Sequence, residues 1–203
     1  MSRPAVVLLL LLAACTRSST VVIVSVPHGD GSQIPVASQE LVLLPYDRDS
    51  VIAELTAPFA ASRPDTLPMV RLLDSLKLAY QRYLAVPTRE RPAARPALDA
   101  VLAGAEGRLT TLRASQHAWR DSAFRSYDSI TFALTKRLAR DPFADTTDAR
   151  GLVRVTPSRS GPWWVTVTAW DAADPNAEWY WNQPLVGDTL YLSAANARHR
   201  RRF

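Results

Sequence analysis

The chain has 203 residues, a formal charge of +5 and 47% hydrophobic residues, with fifteen prolines and only seven glycines. This length fits one domain, or one domain with an insertion, and the composition excludes a flexible low-complexity chain. Lys77 and Lys136 are the only lysines, so arginine carries the charge. An Arg- and Ala-rich bias follows from a GC-rich genome as readily as from a basic binding face, and it does not point to nucleic acid.

Met1-Ser2-Arg3 is a short, positively charged start. Residues 5–12 form an apolar run of eight, too short for a bilayer, which needs about 20. Leu12-Ala13-Ala14-Cys15 follows. Small residues before a cleavage point mark a secretory signal rather than a membrane helix, and this tetrapeptide resembles the lipobox of bacterial lipoproteins. The resemblance implies a cleaved signal over residues 1–14. It also implies acyl chains such as palmitate on the Cys15 thiol and a further chain on the new amine. Several chains anchor stably, because each buried CH₂ contributes about 0.8 kcal/mol and one chain is marginal. Thr16 stands where an Asp would mark retention at the inner membrane, which implies the outer membrane, facing the periplasm. The competing reading is an ordinary signal with a stray cysteine. Cys15 is the only cysteine, so no internal disulfide can form.

Residues 15–19 read as a tether. Thr20-Val21-Val22-Ile23-Val24-Ser25-Val26 is β-branched and predicts a strand. The turn cluster at 28–32 and the apolar residues of 36–46 complete a predicted hairpin, which Pro45 ends. The period then changes. Asp65 or Thr66 caps a helix with Pro68 in its first turn. Its stripe is Met69, Leu72, Leu73, Leu76, Tyr80, Tyr83 and Leu84, and Pro87 stops it. Residues 88–96, with Pro92 and Pro96, read as a turn. From 97 to 140 there is no proline, and a stripe from Leu98 to Leu138 advances by three or four residues. The mean step is close to 3.6, the period of a curved helix rather than a strict coiled coil. Gly104 and Gly107 are its expected weak points. Strand signals return after Pro142: 152–155, then the strict alternation of 163–170, then 178–182 and 189–193. Residues 196–203 are a basic tail with no core pattern.

Two early strands cannot stand alone. The fold expected is therefore α+β: an antiparallel β-sandwich of residues 20–46 and 143–195, interrupted by a long helical-hairpin insertion at 47–142. Thr147-Asp148-Ala149-Arg150-Gly151, the strand after it and Gly161-Pro162-Trp163-Trp164-Val165-Thr166-Val167 resemble the carboxypeptidase regulatory-like (transthyretin-like) sandwich. The turn before Pro35-Val36-Ala37 fits that family's opening hairpin. The resemblance implies a non-catalytic accessory, binding or spacer module. It carries no functional residues, and the family pattern lacks the 95 or so residues between the second and third strands here.

Catalytic signals are few. His28, His117 and His199 lie in a turn, on a helix and in the tail, without metal-ligand spacing. Nucleophile motifs and phosphate loops are missing, so no cofactor or metal is expected. A hydrolase would need carboxylates gathered by folding. Asp47 and Asp49, with Asp148, could hold Ca²⁺; alternatively Asp47-Arg48-Asp49-Ser50 caps the next segment. Five of the six tryptophans lie between 163 and 181. Strand alternation sets Trp164 and Trp170 opposite Trp163, and Trp179 and Trp181 opposite Tyr180. Trp164, Trp170, Trp179 and Trp181 are the candidate ligand or partner face, either open to a glycan or covered by other elements. The tail could meet anionic headgroups or stay solvated. The strands are too few for a membrane barrel, although the chain ends in Phe203.

These readings converge on a lipid-anchored, non-enzymatic envelope protein that docks a protein partner on its helical insertion. The alternative is a glycan- or peptidoglycan-binding module using the Trp-rich strands. An envelope compartment leaves no role for nucleic acid.

Overall fold

The computed structural model describes residues 19–28, 30–174 and 176–201. The expected signal, the lipobox with Cys15, most of the tether and the last two residues lie outside these. The chain divides into two compact units. One comprises Met1–Pro45 and Pro142–Arg200, the other Tyr46–Asp141 and Arg201–Phe203. The fold is α+β, a β-sandwich interrupted by a long helical hairpin.

The sandwich strands are β1 (Thr20–Pro27), β2 (Gln33–Pro35), β3 (Glu40–Leu44), β4 (Phe143–Thr146), β5 (Leu152–Val155), β6 (Trp164–Trp170), β7 (Ala177–Pro184), β8 (Thr189–Leu192) and β9 (Arg198–Arg201). In one sheet β1 pairs antiparallel with β2 and β5 and parallel with β8. The other sheet runs β4-β3-β6-β7-β9. Alternate residues of β1 point inward, as its β-branched repeat requires. Val22, Val24 and Val26 meet Leu41, Leu43, Val153, Val155, Val165, Val167, Trp181 and Leu192 in one core. Early and late strands therefore close over each other. The parallel β1–β8 pair departs from the expected antiparallel pattern. Strands so far apart in sequence need no tight turn between them.

The expected second strand, 36–46, narrows to Glu40–Leu44, and the hairpin partner of β1 lies before it. Gln33–Pro35 completes a short hairpin with β1, and Glu40–Leu44 crosses into the other sheet. Ser38, at φ 54°, turns the chain between them. Thr147 holds the crossing: its hydroxyl donates to the Val36 carbonyl at 2.6 Å and accepts from the Gln39 N–H at 2.9 Å. The strand before Pro45 ends at Leu44, as expected. The insertion then departs and returns between neighbours, since Leu43 pairs with Phe143.

The second unit holds α1 (Arg48–Thr56), a 3-10 helix (Ala57–Ser62), α2 (Leu67–Ala85), α3 (Arg91–Ala123) and α4 (Tyr127–Leu138). The first two were not expected. Asp47 starts α1 by accepting from the Asp49 N–H at 2.9 Å. Pro87 pushes Val86 out of the helical region and ends α2. The Arg91 guanidinium donates to the carbonyls of Leu84 and Val86, closing the C-terminal end of α2.

Two expectations for the long helix fail. Residues 91–96 are its first turns rather than a loop, because Pro92 sits where an N–H would have no partner anyway. The break falls at Phe124, Arg125 and Ser126, not at Gly104 or Gly107. Phe124 packs edge-on between Trp119 and Tyr127, and this aromatic corner turns the chain. Both glycines face open space, so nothing pulls the helix apart there. Beside the corner, burial pushes the Tyr46 phenol up to about 12, helped by Tyr127.

Candidate functional site

The register of β6 and β7 decides where the tryptophans point. Val167 faces Trp181, Ala169 faces Trp179, Thr168 faces Tyr180 and Trp170 faces Glu178. Directly paired residues share a face. Trp179 and Trp181 therefore belong with the core residues of β6, and Trp164 and Trp170 with the opposite face. Trp181 is fully buried, with its indole N–H donating to the Ser193 carbonyl. Trp179 packs partly buried against the same core. The four proposed as one face are thus split between two, and only Trp170 is well exposed, at 63%. Alternation within each strand was legible; the pairing between strands was not.

Tyr180 shares the outer face with Trp170 yet is buried. The Arg200 guanidinium lies 4.0 Å over its ring and donates to Glu178 at 2.7 Å. His199 stacks on Trp179, with 4.4 Å between ring centroids, and its Nε2 meets the Asp171 carboxylate at 2.7 Å. These residues correct the reading of a patternless tail: Arg198–Arg201 is the edge strand β9. A charged edge strand discourages pairing with other chains. Burial pushes the Asp171 carboxyl up, but the Ala173 N–H and the His199 ring outweigh it and hold it below the ordinary carboxylate value. Composition alone hid the strand, because its partners are side chains far away in sequence.

The acidic groups weighed for Ca²⁺ are engaged elsewhere. Asp47 caps α1 and also accepts from the Ser50 hydroxyl at 2.6 Å. Asp148 accepts from the N–H groups of Arg150 and Leu152 and pairs with the Arg150 guanidinium. These bonds hold its carboxyl below the ordinary value. Among the described residues no three His, Cys, Asp or Glu side chains gather as a metal site requires. His28 opens the turn it was assigned to: its carbonyl accepts from the Gly31 N–H and its N–H donates to the Ser32 carbonyl. His117 is exposed on α3.

Six of the twelve large apolar residues that are exposed among the described residues lie on α2 and α3. Met69 of α2 and Leu98 and Ala105 of α3 are buried. Tyr80, Leu84 and Leu102 remain between 42% and 53% exposed on one flank of the seam between the two helices, Val101 lies on the other flank, and Leu78 faces away from it. At about 100° per residue, Leu73, Tyr80 and Leu84 lie on one flank of the α2 stripe, and Leu102 and Leu109 on the matching flank of α3. In an antiparallel pair these flanks form one side of the hairpin. Two helices cover too little of each other to bury a stripe this wide. The sequence held this signal in the width of the stripe, which Tyr80 and Leu84 extend. No described helix is long and apolar enough to cross a membrane.

No family model matches the chain, and a comparison with curated proteins finds none that matches. Among solved structures, the pilus backbone RrgB from Streptococcus pneumoniae is similar at 14% identity with a TM-score of 0.25. The match covers 82% of this chain and 34% of that one, so the chain spans about a third of that protein's length.

Proposed function

We propose that this protein is a lipid-anchored, non-enzymatic module of the cell envelope that docks a partner protein on the exposed side of its helical hairpin. Leu12-Ala13-Ala14-Cys15 supports the anchor, with Cys15 acylated and the outer membrane as its address. The Thr147–Gly151 turn supports the carboxypeptidase regulatory-like reading of the sandwich. There Asp148 accepts from the N–H groups of Arg150 and Leu152, and Gly151 adopts φ 70°. The observation that carries the docking role is the side of the hairpin that Tyr80, Leu84 and Leu102 share, each at least 42% exposed. A face this apolar on an exposed element is a recognised mark of an interaction surface, and helix grooves and stripes are a recurrent way to bind protein.

A photo-crosslinking residue placed at Leu84 or at Leu102 in living cells should give one discrete adduct, the same from both positions. Arg71 and Ala103 lie on the outward faces of α2 and α3, and both are exposed. The same probe there should give none. Equal, diffuse labelling from all four positions would contradict the proposal.

The exposure of Trp170 favours a second reading, a glycan that stacks on this ring beside Glu178. Trp179 and Trp181 lend it nothing, being turned to the core. Intrinsic fluorescence titrated with peptidoglycan fragments tests it: Trp170→Ala should abolish any response.

A further inference from the structure

We infer that the end of the sandwich at which β1 begins is a membrane-apposed surface that receives anionic phospholipid headgroups. The inference rests on the acylation of Cys15 proposed above and adds which part of the fold meets the bilayer. Only residues 16–19 separate Cys15 from Thr20, the first residue of β1. Five extended steps reach about 18 Å at most. Thr20 cannot lie farther than that from the acylated residue, and the headgroup layer adds only about 6 Å of depth.

Two loops surround Thr20. Its hydroxyl donates to the Gly187 carbonyl at 2.8 Å, and the Val21 N–H donates to the Asp188 carbonyl at 2.9 Å. On the other side Thr20 pairs with Val155, the last residue of β5. Arg154 donates to the Ser19 hydroxyl at 3.0 Å. The Leu185 N–H donates to the Trp163 carbonyl, and the Trp163 indole donates to the Arg159 carbonyl. The loops at 156–162 and 185–188 are thereby fixed around the start of β1.

The chemistry of this end suits a lipid interface. Val186 is 69% exposed at the tip of its loop. Arg154 and Arg159 are exposed. Asp188 is the one acidic residue of the loops at 156–162 and 185–188. An apolar tip and two arginines at one end of the sheet would place aliphatic carbon at the acyl boundary and guanidinium groups at phosphate depth. The opposite end, where Trp170 and Asp171 lie, is about 20 Å away along β6. The arginines of β9 belong to that far end, where Arg200 meets Glu178.

The test uses the full acylated chain in vesicles containing phosphatidylglycerol. Mass spectrometry of the Cys15 peptide first reports the acyl chains. Val186→Cys or Ala172→Cys, each the only free thiol, is then labelled with bimane and quenched by nitroxide-headgroup lipid. Quenching should be several-fold stronger at 186 than at 172, and the difference should shrink at least twofold in phosphatidylcholine. Equal quenching at both positions in an acylated chain overturns the inference and leaves the anchor standing. A difference that persists unchanged in phosphatidylcholine overturns the assignment to anionic headgroups. A Cys15 peptide without acyl chains overturns the anchor, and the inference with it.

Discussion

The Thr147 hydroxyl decides where the chain leaves one sheet for the other. It is buried, and it serves the Val36 carbonyl and the Gln39 N–H at once. Thr147→Val would leave both part-buried groups without that partner, a loss of about 1 kcal/mol. Urea unfolding should show a lower midpoint with an unchanged slope, and Thr147→Ser should recover most of the loss. Gly151 is equally constrained, since a Cβ there would sit 2.5 Å from the Val24 carbonyl oxygen. Neither role was legible in the sequence. A threonine and a glycine in a turn have many uses, and the residues they serve lie over a hundred positions earlier. Asp171 is a residue whose effect depends on pH. Its carboxyl is held below the ordinary value, so its stabilising contribution is complete above that value and is lost as pH falls through the depressed one. The acid limb of a melting-temperature profile should therefore be shallower in Asp171→Asn, with the two proteins converging at the lowest pH.

Among the elements, α3 shows that glycine in a helix weakens it without breaking it. Gly104 and Gly107 have open space where a Cβ would project. Gly104→Ala and Gly107→Ala should each stabilise the helical unit by about 1 kcal/mol, read as a higher denaturant midpoint. No change in either variant would mean that this part of α3 is already unfolded in the reference protein. The amphipathic stripe itself was legible, because Leu98, Ala105, Leu109, Leu112 and Trp119 recur at helical spacing on the packed side. Its interruption was not, because the Trp119–Phe124–Tyr127 corner keeps the period while turning the backbone. Strand β9 escaped for the opposite reason. Arg-His-Arg-Arg has no apolar alternation, and Glu178, Tyr180, Trp179 and Asp171 supply what holds it.

For the whole molecule, the α+β architecture was legible because strand-like sequence stands at both ends of a helical stretch and neither end could be stable alone. The structure supplies the reason the insertion is tolerated: it opens and closes across the paired residues Leu43 and Phe143. The division of the tryptophans was hidden, since it depends on which residue of β6 faces which of β7. In the function proposed above, the hairpin would recognise the partner and the sandwich would carry the anchor. Replacing residues 78–102 with a short turn removes Tyr80, Leu84 and Leu102 together and leaves the strands, α1 and the 3-10 helix intact. Crosslinked membranes from cells carrying this shortened chain provide the most direct measurement. The chain should remain in the membrane fraction and unfold cooperatively, and the adduct seen with the full chain should be gone. Undiminished recovery of that adduct would contradict the account.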